Sequence, residues 1–122
     1  MMDSVPEINK RKIFILGNWA FSIIEKVQID LFWNSGSFQE MEPDIVANYL
    51  KYINTQANAV YLRGSMRGKE IASKKWSHGV LKQTKLEDYK KGLINFKLHN
   101  ISPALWPIRK RSDISDSFWE RI

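Results

Sequence analysis

The chain has no cysteine, which excludes a disulfide framework, a thiolate nucleophile and a cysteine-ligated zinc site. Its 122 residues include only two histidines, His78 and His99. Without cysteine partners they make a poor metal site, and no metal is expected. The six glycines never stand two apart, so there is no G-x-G-x-x-G fingerprint, and no G-x-x-x-x-G-K-[ST] phosphate loop is present. No serine sits in a G-x-S-x-G elbow. No apolar run approaches the roughly 20 residues of a membrane helix. The first residues, MMDSVPEINKRK, are polar and carry acid, unlike a signal peptide. A cytoplasmic location without membrane partners is the expectation.

What is present is ordinary for a globular chain. Apolar residues make up 43% and charged residues 26%, which argues against disorder along the whole length. Six Phe, five Trp and four Tyr supply bulk for a core. The length fits one domain over residues 1–122. The net charge of +6 is unevenly spread: residues 25–44 carry −4 and residues 63–91 carry +6. The basic stretch permits an anionic ligand such as a nucleotide, a phosphorylated sugar or RNA; a solvated lysine-rich surface is the plainer reading and is favoured.

The hydrophobic pattern predicts alternating strands and helices. Lys12–Leu16 and Ile29–Trp33 are short apolar runs that read as buried strands, with a short helix over Trp19–Lys26 between them. Trp33 is expected in the core. Pro43 suits the first turn of a helix, and Ile45, Val46, Tyr49, Leu50 and Ile53 form one stripe, predicting a helix over Pro43–Thr55. Asn58–Leu62 reads as a third strand. Gly64 to Gly79 reads as a long loop with one helical turn near Glu70–Lys75. Thr84-Lys-Leu-Glu87 matches a capping box before a helix over Lys85–Lys91, which Gly92 can end. Leu93–Leu98 reads as a strand, and residues 109–122 as a partly ordered tail. The alternation predicts an α/β fold with a mostly parallel sheet flanked by helices.

In such sheets ligands gather beyond the carboxyl ends of the strands. Two such ends stand out. Asn34-Ser-Gly-Ser-Phe-Gln-Glu-Met41 places two amides, two hydroxyls and a carboxylate between a strand and a helix. A ligand contact and a polar turn that satisfies its own backbone are equally good readings of it. Arg63-Gly-Ser-Met-Arg-Gly68 offers Arg63 and Arg67 to a carboxylate or phosphate; a solvated loop is the favoured reading there.

The stretch Ile29-Asp-Leu-Phe-Trp-Asn-Ser-Gly-Ser-Phe-Gln-Glu-Met41, with Tyr49 in the next helix, resembles the D-L-x-x-N-x-x-S-F-x-E-M … Y segment of the sugar O-methyltransferase family. The matching positions are Asp30, Leu31, Asn34, Ser37, Phe38, Gln39, Glu40, Met41 and Tyr49, and weaker likeness runs on through Ala59–Leu62. Those are class I S-adenosylmethionine-dependent methyltransferases with a Rossmann-like sheet ordered 3-2-1-4-5-7-6, often found with polysaccharide genes. The resemblance implies that Lys12–Leu16 is the third strand, Ile29–Trp33 the fourth and Asn58–Leu62 the fifth. The glycine-rich loop that holds the cofactor after the first strand, and the acid after the second, have no counterpart here. The resemblance therefore implies the C-terminal half of such an enzyme, truncated and inactive alone or working with a separate N-terminal half. It implies Glu40 and Asn34 as catalytic residues, with Glu40 taking the proton of a sugar hydroxyl. Ser37, Phe38, Gln39, Arg63 and Arg67 would contact a sugar or nucleotide-sugar, and Asn34 and Ser35 the methyl end of S-adenosylmethionine. The alternatives are a non-catalytic basic module binding RNA or an anionic glycan, and an inactive remnant. A half-domain of this kind is also expected to be marginally stable or to associate in solution, since it leaves a sheet edge and apolar faces uncovered.

Overall fold

The computed structural model describes residues 13–74, 77–104 and 113–122. Ile29–Ser35 forms strand β1, and Pro43–Gln56 forms helix α1. Pro43 sits in the first turn, where its missing N–H leaves no bond unmade, and Asp44 faces the positive end of the helix dipole. The buried face of α1 carries Val46, Leu50 and Ile53; Ile45, expected in the same stripe, is turned toward solvent. Ala57–Ser65 forms β2, parallel to β1 with Phe32 beside Val60. A parallel neighbour needs a crossover, and α1 supplies it.

Leu86–Gly92 forms α2, Phe96–Pro103 forms β3 and Ile114–Arg121 forms β4. The sheet order is β1-β2-β4-β3. Strand β4 runs antiparallel to both of its neighbours, so β1, β2 and β3 point one way and β4 the other. The fold is α/β with an open, mixed four-stranded sheet, and the expected mostly parallel sheet is corrected: only β1 and β2 form a parallel pair.

Further expectations are corrected. Residues 109–112 lie outside the described residues, but the rest of the expected tail is β4, an interior strand. Its polar residues are tolerated because their backbone groups pair on both sides. Ile13–Leu16 form no strand and are exposed, since no described strand pairs with them; Lys12 lies outside the described residues. The helix over Trp19–Lys26 is a 3-10 helix, Asn18–Lys26, held to α1 by Phe21 edge-on to Tyr49 at 4.7 Å. The turn expected near Glu70–Lys75 is absent among its described residues, where Ile71 instead bridges to Val80. At α2 the capping roles shift by one residue. The Asp88 carboxylate accepts the Lys85 N–H at 2.9 Å, while the Thr84 hydroxyl donates to the Met41 carbonyl at 2.8 Å.

The core lies between the sheet and the helices. Phe38, Tyr49 and Tyr89 cluster there with Phe32, and Val60, Leu62, Phe96 and Trp119 close it from the sheet. The buried Trp119 indole N–H donates to the Ser117 hydroxyl at 3.0 Å, and that hydroxyl donates to the Leu62 carbonyl at 3.3 Å. Arg121 donates to the carbonyls of Asn54 and Ala57 at the end of α1, where the dipole favours a cation. Its guanidinium also lies 4.9 Å from the centre of the Phe96 ring. The alternate strand residues Leu31, Trp33, Tyr61 and Phe118 point to the other face, which no described helix covers. Trp33 is thus exposed rather than in the core. No helix among the described residues is long and apolar enough to cross a membrane.

Trp119→Ala removes the largest fully buried side chain. It is expected to cost about 3–5 kcal/mol, as large aromatic truncations do, read by urea unfolding followed by circular dichroism. The Tyr89 hydroxyl gives an alkaline signature. Burial, assisted by the neighbouring Asp88, pushes its pKa up from 10.0 to about 12. The native state therefore holds the proton where the unfolded chain has lost it. The stability this contributes is complete below pH 10 and falls away as pH rises from 10.0 to about 12. Tyr89→Phe should flatten that decline in unfolding free energy; an unchanged slope in this window argues against the assignment.

Candidate functional site at the carboxyl ends of β1 and β2

The chain leaves β1 at Ser35 and turns at Gly36, whose φ of +83° is strained for any residue with a side chain. The Gly36 N–H donates to the Arg63 carbonyl at 2.8 Å, which ties this turn to the end of β2. Asn34 organises the rest of the turn. Its carbonyl oxygen accepts the Phe38 N–H at 3.3 Å, and its amide donates to the Ser37 hydroxyl at 2.5 Å. These bonds start the short 3-10 helix Phe38–Glu40. Asn34 and Ser37 thus satisfy the turn itself. Phe38, implied as a sugar contact, turns inward, is buried against Phe32 and Tyr89 and lines neither of the clefts described below.

Gln39 is the centre of the site. Its side-chain oxygen accepts the Ser65 N–H at 2.5 Å and so joins the turn to the end of β2. Gly64 permits this approach, since a Cβ there would lie 3.2 Å from that oxygen. A cleft lies on either side of Gln39. One, of about 300 Å³, is lined by Ser35, Gly36, Gln39, Arg63, Gly64, Ala104 and Ile114. The other, of about 310 Å³, brings together Gln39, Glu40, Ser65, Lys69, Glu70, His78 and Asp113. Glu40 forms an ion pair with Lys69 there. The long loop that carries Lys69 is pinned beneath the turn. The Glu42 carboxylate accepts the Leu81 and Lys82 N–H groups, each at 2.7 Å, and Gln83 donates to the Lys69 carbonyl at 2.7 Å.

Arg63 reaches the first cleft but also grips Asp116 with two bonds, of 2.7 and 3.0 Å. The Arg63 guanidinium holds the Asp116 carboxyl below its usual range, and Asp116 in turn raises Arg63. Desolvation, then the hydrogen bond that the Tyr61 hydroxyl donates to the Asp116 carboxylate, push the Tyr61 hydroxyl upward. Arg67 stands exposed in the turn after β2 and lines neither cleft. The structure therefore brings Ser35, Gln39, Glu40 and Arg63 together and leaves Arg67 outside. Lys69, Asp113 and Asp116 belong to the site without having been expected there. Only a strand reading of residues 114–121 places Asp116 beside Arg63, and only the pinned loop places Lys69 beside Glu40. Among the described residues no three His, Asp or Glu side chains gather as metal ligands. Compared with protein-family profiles and with curated proteins, the chain matches none.

Gln39→Ala leaves the buried Ser65 N–H without its acceptor. The expected cost is about 1–3 kcal/mol, with faster hydrogen exchange at the Ser65 amide as the local readout. Exchange no faster than in the parent chain would show that another acceptor takes over.

Proposed function

We propose that this chain forms the substrate-holding half of a sugar O-methyltransferase, acting on a hydroxyl of a sugar or nucleotide-sugar. The observation that carries the reading is the strand order. In the order 3-2-1-4-5-7-6 that the resemblance implies, the last four strands lie side by side as 4-5-7-6. The chain's first, second, fourth and third strands lie side by side in the same way. The polar turn with the matching residues falls at the carboxyl end of β1, where that order puts the edge of the reaction site.

The residues present do not fit the whole of S-adenosylmethionine. No glycine turn approaches its charged end, and Asn34, implied at the methyl end, is committed to Ser37 and Phe38. In this reading residues other than these 122 carry the cofactor, and this chain addresses the acceptor sugar. Glu40 is the group that takes the hydroxyl proton, with Lys69 as its counter-ion. Gln39, held by Ser65, and Arg63, held by Asp116, fix the direction from which the hydroxyl is presented. Alignment of this kind supplies much of the rate in methyl transfer to oxygen. The pairing of Arg63 and Lys69 with carboxylates weighs against a nucleic-acid module, which needs an unopposed basic surface.

Calorimetric titration of the chain with S-adenosylmethionine should show no binding tighter than about 1 mM, or roughly −4 kcal/mol. A nucleoside-diphosphate sugar should shift the amide resonances of Gln39, Glu40, Gly64 and Ser65. When an N-terminal half bearing the glycine turn is supplied, Glu40→Ala should lower turnover by about 10²-fold or more. Tight cofactor binding by this chain, or full activity of the Glu40→Ala protein, would overturn the reading.

A further inference from the structure

The 3-10 helix Asn18–Lys26 and α1 enclose a further cleft, of about 400 Å³. It shares no lining residue with the two clefts beside Gln39. Its walls combine two kinds of side chain. Trp19, Tyr49 and Tyr52 are aromatic, and Asn18, Ser22 and Asn48 are polar and neutral. No described residue that lines it carries a charge.

The aromatic part is held in place. Phe21 stands edge-on to Tyr49 at 4.7 Å and to Tyr52 at 6.0 Å, so both tyrosines are fixed from one side. Trp19 is 87% exposed, yet its ring has a seat over Gly17, where a Cβ would run into it. Gly17 has an ordinary φ of −71°, so what the glycine supplies here is space rather than backbone freedom. Ile45 lines the same cleft, which accounts for its departure from the buried stripe of α1. The polar part is uncommitted. The amides of Asn34 and Gln39 are spent within the chain, whereas the side chains of Asn18, Ser22 and Asn48 have no hydrogen-bond partner among the described residues.

We propose that this cleft binds a neutral sugar ring, as one unit of an oligosaccharide. A pyranose has apolar C–H faces and a rim of hydroxyls. The faces suit an aromatic wall, and each hydroxyl both donates and accepts, as do serine and the two ends of an asparagine amide. A volume of about 400 Å³ lies within the range of small-molecule sites. A phosphate or carboxylate finds no cation among the described lining residues and gains nothing here. A proline-rich segment also suits aromatic walls, but proline has no N–H to offer the amide oxygens of Asn18 and Asn48. The site is independent of the proposed reaction and holds its sugar whether or not Glu40 takes a proton.

The test is titration of the full chain with maltotetraose, cellotetraose and mannotetraose, followed through amide and indole resonances. At least one of them should shift the Trp19 indole N–H and the Asn48 side-chain amide, with a dissociation constant of about 1 mM or tighter. Trp19→Ala should weaken that binding about tenfold or more, and Asn48→Ala about three- to tenfold. Both positions are exposed, so the circular dichroism spectrum should not change. Gly17→Ala should weaken it as well, by displacing the Trp19 ring from a position that does not itself line the cleft. Trp33→Ala, on the open face of the sheet, should bind as the parent does. The proposal is overturned if none of the three sugars shifts these resonances, or if any of the three cleft variants binds as tightly as the parent. Loss of binding in Trp33→Ala, or tighter binding of a proline-rich peptide or of tetragalacturonate, would overturn it too. So would nuclear Overhauser contacts showing another segment of the chain inside the cleft. Shifts confined to Gln39, Glu40 and Ser65 would overturn it while leaving the proposed reaction site standing.

Discussion

Strand β4 lies between two strands that have no contact with each other without it. Its pairing with β2 joins the α1 crossover unit to the rest of the chain, and its pairing with β3 gives β3 its one neighbour among the described strands. Two of its side chains reach beyond the sheet. Trp119 fills the centre of the core and, through Ser117, bonds to β2. Arg121 satisfies carbonyls at the end of α1. A third, Asp116, anchors Arg63 at the cleft. Core, helix terminus and candidate site thus all depend on one strand.

The turn after β1 shows how one set of side chains serves both folding and a site. Asn34 and Ser37 are spent on starting the Phe38–Glu40 helix, and that helix is what carries Gln39 and Glu40 to the end of β2. Gln39 is in turn fixed by a backbone N–H, and Glu40 by Lys69. The polar surplus in the sequence therefore divides. Its first half shapes the turn, and its second half faces the two clefts. Positioning of this kind is the usual way a strand-to-helix turn presents groups at the carboxyl end of a sheet.

Much of this was legible in the sequence where the signal was local. The apolar run at Ile29–Trp33, the Pro43 helix start and the strand before Arg63 appear within a few residues of their expected limits. What was not legible depended on distant partners. Ile114–Arg121 alternates poorly and reads as a tail, and it becomes a strand because β2 and β3 offer it two ladders. Ile13–Leu16 has the composition of a strand and lacks a ladder, so it remains outside the sheet. Trp33 looks like core by residue type, and its exposure stems from which face the helices cover, a property of the assembled layers. At the site, Asn34 and Gln39 were found through their place after a strand. Lys69 and Asp116 were not, because each is brought in by contacts spanning 29 and 53 residues.

The order of the strands also has a bearing on how the fold is reached. The β1–α1–β2 unit closes over short range, but the pairs between β2 and β4 run from Ser65 with Ile114 to Ala59 with Glu120, far apart in sequence. Loop closure of that length must precede the contacts that compensate for it, which slows folding and lengthens the time that apolar strand faces stand open. On a ribosome, β1, α1, β2, α2 and β3 emerge before the strand that unites them. During that interval the nascent chain holds an early half with one parallel strand pair and a β3 with nothing to pair with, a state in which chaperone capture or association with a neighbouring chain competes directly with the arrival of β4.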